Sequence, residues 1–171
     1  PHPAHLIRRS AVLLWRLNDS CPAATGTVTA TPRRTPQQRF TVLNDVTCRD
    51  WQFRTREWTQ GKNWDSTTPL GPVLVTPDEL PGGVRPALRV ATTVDGEVMQ
   101  DDSTADLLFD PVALVEYVST IIRLNPGDVI ATGTPGGVGH ARKPPVFLTA
   151  GQVVECTIEG IGATVNRVVA G

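Results

Sequence analysis

The sequence lacks the features that mark several common protein classes. It has only three cysteines, Cys21, Cys48 and Cys156, which are too few and too scattered for a disulfide framework or a zinc knuckle. The longest apolar run near its start covers residues 11–15 and ends at Arg16, and this is too short for a membrane span or a signal peptide. We therefore expect a reduced, cytoplasmic protein that is not embedded in a membrane.

An excess of charge of one sign is lacking as well. The formal net charge is −1, so the overall balance gives no reason to expect nucleic acid as a partner. The charge is unevenly placed, because residues 1–40 carry six arginines and one acid, Asp19, whereas residues 41–171 carry ten basic and sixteen acidic residues. Two blocks that differ this much in charge indicate separate roles or origins.

The first forty residues show neither a helical nor a strand period. Pro22, Pro32 and Pro36 interrupt residues 17–40, and proline ends regular structure. We predict an irregular segment over residues 1–40, followed by one domain over residues 41–171. The irregular segment is either a genuine part of the protein or the product of a frameshift or a wrong start site, and the sequence leaves both readings open.

From Phe40 onward the chain is patterned. Aromatic residues make up only 5% of the whole chain while Gly and Pro number 15 each, which favours short strands and turns over a helical bundle. Asp95-Gly96 predicts a hairpin turn, and Asp110-Pro111 predicts the start of a helix. The further predicted elements are a strand from Phe40, a short helix over 48–58 capped by Thr47, a buried strand over 72–76, and strands at 128–131, 153–158 and 163–169. The predicted fold is α+β and mostly β.

Five segments stand in a specific order. They read NDVTCRDWQ at 44–52, GKNWDS at 61–66 with PLGP at 69–72, QDDSTADLLF at 100–109, PGDVIATGTPGGVG at 126–139, and VECTIEGIG at 154–162. In this order and spacing, residues 41–170 resemble the C-terminal catalytic domain of the fumarylacetoacetate hydrolase family, and residues 1–40 do not. The resemblance implies that family's mixed, β-rich fold, incomplete on its N-terminal side.

The resemblance also implies a chemistry. It predicts metal-dependent hydrolysis of a C–C bond in a β-diketo acid such as an acylpyruvate or fumarylpyruvate, of the kind used in the catabolism of aromatic compounds. Isomerisation or decarboxylation of an oxo-dioate is an alternative, since all three reactions pass through a metal-bound enolate. A truncated, non-catalytic fragment of such an enzyme is a third. A small oxo-acid substrate and a homodimer are the implied partners.

Four residues near the first two motifs are the predicted catalytic group. By the resemblance, Asp45 ligates Mg²⁺ or Mn²⁺, Lys62 places its ammonium beside the metal to stabilise enolate charge, and Arg49 and Gln52 line the substrate pocket. From the residues alone, the favoured readings are a turn cap for Asp45 and a solvated charge for Lys62. Arg49 and Gln52 are three residues apart, so a short helix places them on one face.

The glycine-rich segment over residues 132–137, called the glycine loop below, is the predicted substrate-binding loop. It lacks the Gly-Lys-Ser/Thr of a phosphate loop, and by itself it reads as a tight turn. The resemblance implies that Thr134 and the backbone at Gly133 hold a substrate carboxylate, and that Ser66 supplies a hydroxyl near the substrate. His140 is predicted to be a surface residue.

One departure from the family pattern concerns the metal. The family carries a Glu-x-Glu pair before the strand that leads to Asp45, but this sequence has no Glu before Glu57, and Asp19 is the only acid before Asp45. We therefore expect an incomplete metal site, weak binding of Mg²⁺ or Mn²⁺, and little turnover of acylpyruvates.

Overall fold

The computed structural model describes residues 6–7, 12–16, 38–125 and 127–170, with only the backbone described for 6–7 and 12–16. Its elements, in chain order, are strands β1 (Leu6–Ile7), β2 (Val12–Arg16), β3 (Phe40–Leu43) and β4 (Thr47–Cys48), helix α1 (Arg49–Gln52), strands β5 (Leu70–Val75), β6 (Arg89–Val94) and β7 (Glu97–Ser103), helix α2 (Pro111–Ile121), and strands β8 (Val129–Ala131), β9 (Val153–Ile158) and β10 (Gly162–Arg167). Short 3₁₀ turns cover Trp58–Gly61, Pro77–Glu79, Thr104–Asp106 and Gly139–Ala141. The predicted mostly β, α+β class is confirmed.

Two four-stranded antiparallel sheets form the architecture. One has the strand order β10-β9-β6-β7 and the other β5-β3-β2-β8, while β1 and β4 make a separate two-stranded pair. β10 packs against β3 and β5, so the buried core lies between the two sheets. Its members come from both, and they include Phe40, Val42, Val90, Val154 and Ile158.

The β6–β7 hairpin forms as predicted. Asp95 has φ 50° and Gly96 has φ 84°, the left-handed values that a two-residue type I′ turn requires at both positions. Val94 pairs with Glu97 directly across the turn. β6 also pairs with β9, from Val90 opposite Ile158 to Val94 opposite Val154, so β6 is an interior strand of its sheet and β7 forms the edge.

Helix α2 begins as predicted at Asp110-Pro111. The Asp110 carboxylate accepts hydrogen bonds from the backbone N–H groups of Val112 and Ala113, at 2.8 and 2.9 Å, and from the Arg85 guanidinium at 2.8 Å. The hydrogen bond from Arg85, followed by that from Ala113, lowers the pKa of Asp110. The cap therefore stays ionised, which stabilises the positive end of the helix dipole.

Three local predictions need correction. The helix predicted over 48–58 is the single turn α1, and Cys48 is its N-cap residue without a side-chain cap. Thr47 does not cap it, because its hydroxyl donates to the backbone carbonyl of Asp45 at 3.3 Å. The strand predicted to be buried at 72–76 is β5, an edge strand with Leu70, Val73 and Leu74 between 40% and 53% exposed.

The N-terminal segment also differs from its prediction where the structure describes it. β2 pairs with β3 and with β8, so residues 12–16 are regular although residues 1–40 were predicted to be irregular. The apolar run supplies a strand once a partner edge is present, which a local pattern does not reveal. Residues 17–37 lie outside the described residues, and the division at residue 40 stays a prediction. Among the described residues, no helix is both long and apolar enough to cross a membrane.

Candidate active site

Asp45 lies just beyond the end of β3. The backbone on either side of it is hydrogen-bonded to the loop that precedes β5. The backbone N–H of Asn44 donates to the carbonyl of Pro69 at 3.0 Å, and that of Val46 donates to the carbonyl of Thr67 at 3.1 Å. These bonds extend the pairing of β3 with β5. The loop that precedes β5 therefore folds back over Asp45.

Lys62 emerges from that loop directly after the 3₁₀ turn Trp58–Gly61. Its backbone N–H donates to the carbonyl of Thr59 at 3.0 Å. A Cβ atom added at Gly61 would lie 2.8 Å from the carbonyl oxygen of Cys48, so the loop backbone touches the start of α1. The Lys62 ammonium donates to Oδ2 of Asp45, and the two side chains are 20% and 22% exposed. The structure thus joins two predicted residues that are 17 positions apart in sequence.

Two tryptophans fix the Lys62 loop against α1. The rings of Trp51 and Trp64 meet edge to face, with centroids 5.1 Å apart, and the Trp64 indole N–H donates to the carbonyl of Gln60 at 2.9 Å. The Arg54 guanidinium stacks 3.5 Å above the Trp51 ring. The sequence motifs did not identify these residues as part of the site, although three of the four tryptophans fall within residues 51–64.

Arg49 and Gln52 form a buried polar pair on α1. They are 7% and 0% exposed, and the Arg49 guanidinium donates to Oε1 of Gln52, so their predicted placement on one helix face is confirmed. The Gln52 amide nitrogen has no hydrogen-bond acceptor among the described residues. Arg49 thus keeps a charged group at a buried position beside Gln52, and charged groups in such environments often serve a function.

Cys48 directly precedes Arg49 in the chain, and its environment does not favour a nucleophilic thiolate. Its side chain is buried, and burial, followed by the charge of Asp50, raises the pKa of its thiol. The thiolate that nucleophilic attack needs is therefore disfavoured.

Thr134 and Gly133 line a cavity of about 120 Å³, whose lining residues include neither Asp45 nor Lys62. Among the described residues, the walls also carry two carboxylates, Asp102 and Asp106, and no basic residue. A substrate carboxylate bound in this cavity would therefore need a cation from another part of the site. That Thr134 and Gly133 share one ligand with Asp45 and Lys62 stays a prediction.

The glycine loop is anchored to β7 by two residues that the sequence analysis missed. The Gln100 amide donates to the carbonyl of Pro135 at 2.8 Å, and the Arg142 guanidinium donates to the carbonyl of Met99 at 2.6 Å. Gly137 allows this approach, since it has φ 89° and an added Cβ would lie 2.4 Å from the Met99 carbonyl oxygen. The position of Gln100 at the start of the third motif was the available signal, whereas Arg142 had none.

The remaining predicted residues lie at the surface. Ser66 is exposed in a left-handed turn with φ 58°, and its role near a substrate stays a prediction. His140 is exposed as predicted, and its ring lies 5.8 Å from that of Phe53. Because Phe53 follows α1 and His140 follows the glycine loop, this contact joins the ends of the two candidate segments.

The described residues do not fit a divalent cation. Among them, no three or more His, Cys, Asp or Glu side chains come together as a metal-ion site. Asp45 is already held by Lys62, and Asp19 lies outside the described residues. Two unit charges 4 Å apart interact by about 4 kcal/mol at an effective dielectric of about 20, so a divalent ion at that distance from the ammonium would meet roughly twice that repulsion.

Comparison with known proteins identifies the family. The family model for the fumarylacetoacetate (FAA) hydrolase C-terminal domain matches residues 38–169. The chain belongs to the fumarylacetoacetate hydrolase family. Among curated relatives, it is 45% identical over 131 residues to the mitochondrial oxaloacetate tautomerase Fahd2a of Rattus norvegicus and 46% identical over 132 residues to the mitochondrial oxaloacetate tautomerase FAHD2A of Homo sapiens. Each match covers 76% of this chain and 41% of the relative.

Solved structures of the family share the fold. A fumarylacetoacetate hydrolase from psychrophilic Exiguobacterium antarcticum superposes with a TM-score of 0.84 at 36% identity, covering 100% of this chain and 61% of that one. The fumarylpyruvate hydrolase of Pseudomonas aeruginosa, solved with Mn²⁺ and pyruvate, gives a TM-score of 0.80 at 27% identity and covers 100% of this chain and 69% of that one. The chain thus spans about two fifths of these curated relatives and about two thirds of these solved ones.

Proposed function

We propose that this chain carries the enolate-stabilising site of an enzyme that interconverts the keto and enol forms of a 2-oxo dicarboxylic acid such as oxaloacetate. The observation that carries the proposal is the partly buried Lys62–Asp45 ion pair, which the Trp51–Trp64 contact holds beside the buried Arg49–Gln52 pair. The names of the tautomerases at 45–46% identity support the choice of reaction.

The chemistry of tautomerisation matches what Lys62 offers. When the keto form enolises, a proton leaves the carbon next to the 2-oxo group, its electron pair forms the C=C bond, and the carbonyl oxygen becomes negative before it is protonated. An ammonium group that is fixed in place before the reaction stabilises that oxygen without reorganising. Asp45 fixes it, because the ion pair restricts the flexible lysine side chain.

Arg49 is the proposed partner for a substrate carboxylate. A guanidinium presents a planar fork that matches a carboxylate, and Gln52 sets the plane of that fork by accepting one of its N–H groups. Burial strengthens such an interaction, since the local dielectric is low. Thr134 and Gly133 are proposed to contact the far end of a longer substrate.

Hydrolysis of a C–C bond, and isomerisation or decarboxylation of an oxo-dioate, stay predictions. They share the enolate with tautomerisation, but hydrolysis also needs a positioned water and a carbon leaving group. The two hydrolases compared above are 36% and 27% identical to this chain, below the tautomerases at 45–46%. Tautomerisation is therefore the function we favour.

The setting and the partners are proposals as well. We propose a homodimer that acts on a small oxo acid. The curated relatives compared above are named as mitochondrial proteins, whereas the cysteine content predicts a reducing, cytoplasmic setting, and the location of this chain stays a prediction.

The test is an enol-decay assay. Freshly dissolved oxaloacetate is followed by its enol absorbance, with the purified chain and without it, in buffer that contains Mg²⁺. We expect decay faster than in buffer, and we expect Lys62→Ala to lower kcat by roughly 10²–10³, the usual effect of removing one oxyanion stabiliser. Lys143→Ala is the matched control, because Lys143 is the only other lysine and is exposed; its rate should equal that of the parent chain.

A parallel assay with an acylpyruvate separates the two reactions. Cleavage of the acylpyruvate, together with enol decay that stays at the buffer rate, would reject tautomerisation in favour of the hydrolase. Equal rates for Lys62→Ala and the parent chain would reject Lys62 as the enolate stabiliser.

A further inference from the structure

We infer that the Lys62 ammonium stands in for the divalent cation, so that this chain binds a 2-oxo acid without a metal ion. The inference rests on the proposed function, because it concerns how the same site holds the same class of ligand. It differs from the metal-assisted chemistry that the family resemblance implies.

The Asp45 carboxylate already has a cationic partner, Lys62. A cation ligated by Asp45 would sit about 2.0–2.6 Å from a carboxylate oxygen, and Oδ2 already accepts the Lys62 ammonium. The ammonium is not a loose surface charge, since the loop that carries it is bonded to Thr59 and packed against Trp51 through Trp64.

Few carboxylates near Asp45 in the sequence are available to ligate a metal ion. Mg²⁺ and Mn²⁺ take oxygen ligands, and the first 56 residues contain no Glu and only the aspartates Asp19, Asp45 and Asp50. Within residues 38–125 and 127–170, no group of three candidate ligands forms. Within the described residues, the Lys62 ammonium therefore takes the position beside Asp45 that a metal ion would need.

This arrangement reverses the expected role of Asp45. As a metal ligand, Asp45 would be needed for ligand binding, and its removal would abolish it. As the counter-ion of Lys62, it competes with the incoming carboxylate or enolate for the ammonium. Asp45→Asn, which keeps the shape and removes the charge, should therefore tighten the binding of an anion.

The experiment is a titration with oxamate, a planar analogue of pyruvate, followed in the ¹⁵N NMR spectrum of the full chain through the indole N–H signals of Trp51 and Trp64. We expect the same Kd, within about twofold, in EDTA and in Mg²⁺. Asp45→Asn should lower the Kd by roughly threefold to fivefold, the scale of one partly exposed charge, and Lys62→Ala should raise it by at least about tenfold. Lys143→Ala should leave it unchanged.

Each result decides the matter. Binding that requires Mg²⁺, or that Asp45→Asn abolishes in a folded protein, overturns the inference but leaves the proposed oxo-acid site standing. Absence of oxamate binding under both conditions overturns the inference and the proposed function together. Addition of Mn²⁺ alone is an independent check, since a paramagnetic ion on Asp45 would broaden the signals of nearby groups, and we expect no broadening of the Trp51 and Trp64 indole signals at an equimolar amount.

Discussion

At the scale of single residues, the pairing of Arg49 with Gln52 is the most exacting feature of the site. A guanidinium that is 7% exposed has lost most of its water, and the acceptor on Gln52 replaces part of what was lost. The pair also shows how one turn of helix builds a rigid fork, because its members are separated by three residues and share a face.

We predict that Gln52→Leu destabilises the fold by roughly 2–4 kcal/mol, because it removes an acceptor from a buried charge. The measurement is the free energy of unfolding from urea denaturation. Gln60→Leu is the matched control: the same substitution at an exposed position, where a change within about 0.5 kcal/mol is expected. Equal effects of the two substitutions would show that the buried bond contributes nothing of its own.

A second feature at the scale of single residues is the ion pair between Lys62 and Asp45. Neither residue type is informative alone, since loop lysines and turn aspartates are common. Their contact across 17 positions turns two ordinary residues into one element that can stabilise an enolate.

At the scale of elements, the β6–β7 hairpin and helix α2 follow the rules of local conformation closely. Asp95 and Gly96 supply two left-handed residues, and Asp110 supplies two side-chain hydrogen bonds to the first turn of α2. The third motif, residues 100–109, covers the end of β7 and the turn Thr104–Asp106 and leads into α2.

We predict that Gly96→Ala destabilises the hairpin by about 1–2 kcal/mol, because a Cβ atom is disfavoured at φ 84°. Gly136→Ala is the matched control. An added Cβ meets nothing within 4 Å at either glycine, but Gly136 does not adopt a left-handed φ, so its replacement should be neutral or slightly stabilising. Urea unfolding of both variants isolates the backbone term, and equal losses of stability would contradict it.

At the scale of the whole molecule, the side of α2 that faces solvent is unusually apolar. Five large side chains in and beside this helix are 56–87% exposed, namely Leu108, Phe109, Tyr117, Ile121 and Ile122. Together they expose on the order of 600 Å² if such side chains carry about 150–250 Å² each. That is near the upper end for a monomer and approaches the roughly 800 Å² that each partner of a standard complex buries.

We propose that a second copy of this chain covers this surface and forms the proposed homodimer. Charge complementarity supports an antiparallel contact between two α2 helices. Asp106 precedes the helix and Arg123 follows it, so a two-fold axis across α2 places each arginine near the aspartate of the other copy. Apolar contact would then supply the stability and the charged ends the orientation.

We predict that Ile121→Glu makes the chain monomeric, because it buries a charge in the apolar contact. The measurement is the molar mass from light scattering during size-exclusion chromatography. Val165→Glu is the matched control, since Val165 is 62% exposed on β10 and away from α2, and it should leave the dimer intact. A monomeric parent chain, or an unchanged mass for Ile121→Glu, would contradict the proposal.

The features whose energy is local could be predicted from the sequence alone. The hairpin at Asp95-Gly96 and the start of α2 at Asp110 depend on the φ preferences and hydrogen bonds of a few neighbouring residues, so the residue types suffice to predict them. The ordered motifs likewise identify the family, because they preserve residue types at set spacings. The predicted helix over 48–58 failed for the converse reason, since the packing of the Lys62 loop against α1 decides where that helix ends.

The contacts between distant segments could be seen only in the folded structure. It joined Lys62 to Asp45, anchored the glycine loop on β7 through Gln100, and left β5 at an exposed edge. It also lined the Thr134 cavity with carboxylates, which no motif indicates. These outcomes depend on which strands pair and which faces pack, and the free energy of such long-range contacts is shared among many residues that are distant in sequence, so no local pattern encodes it.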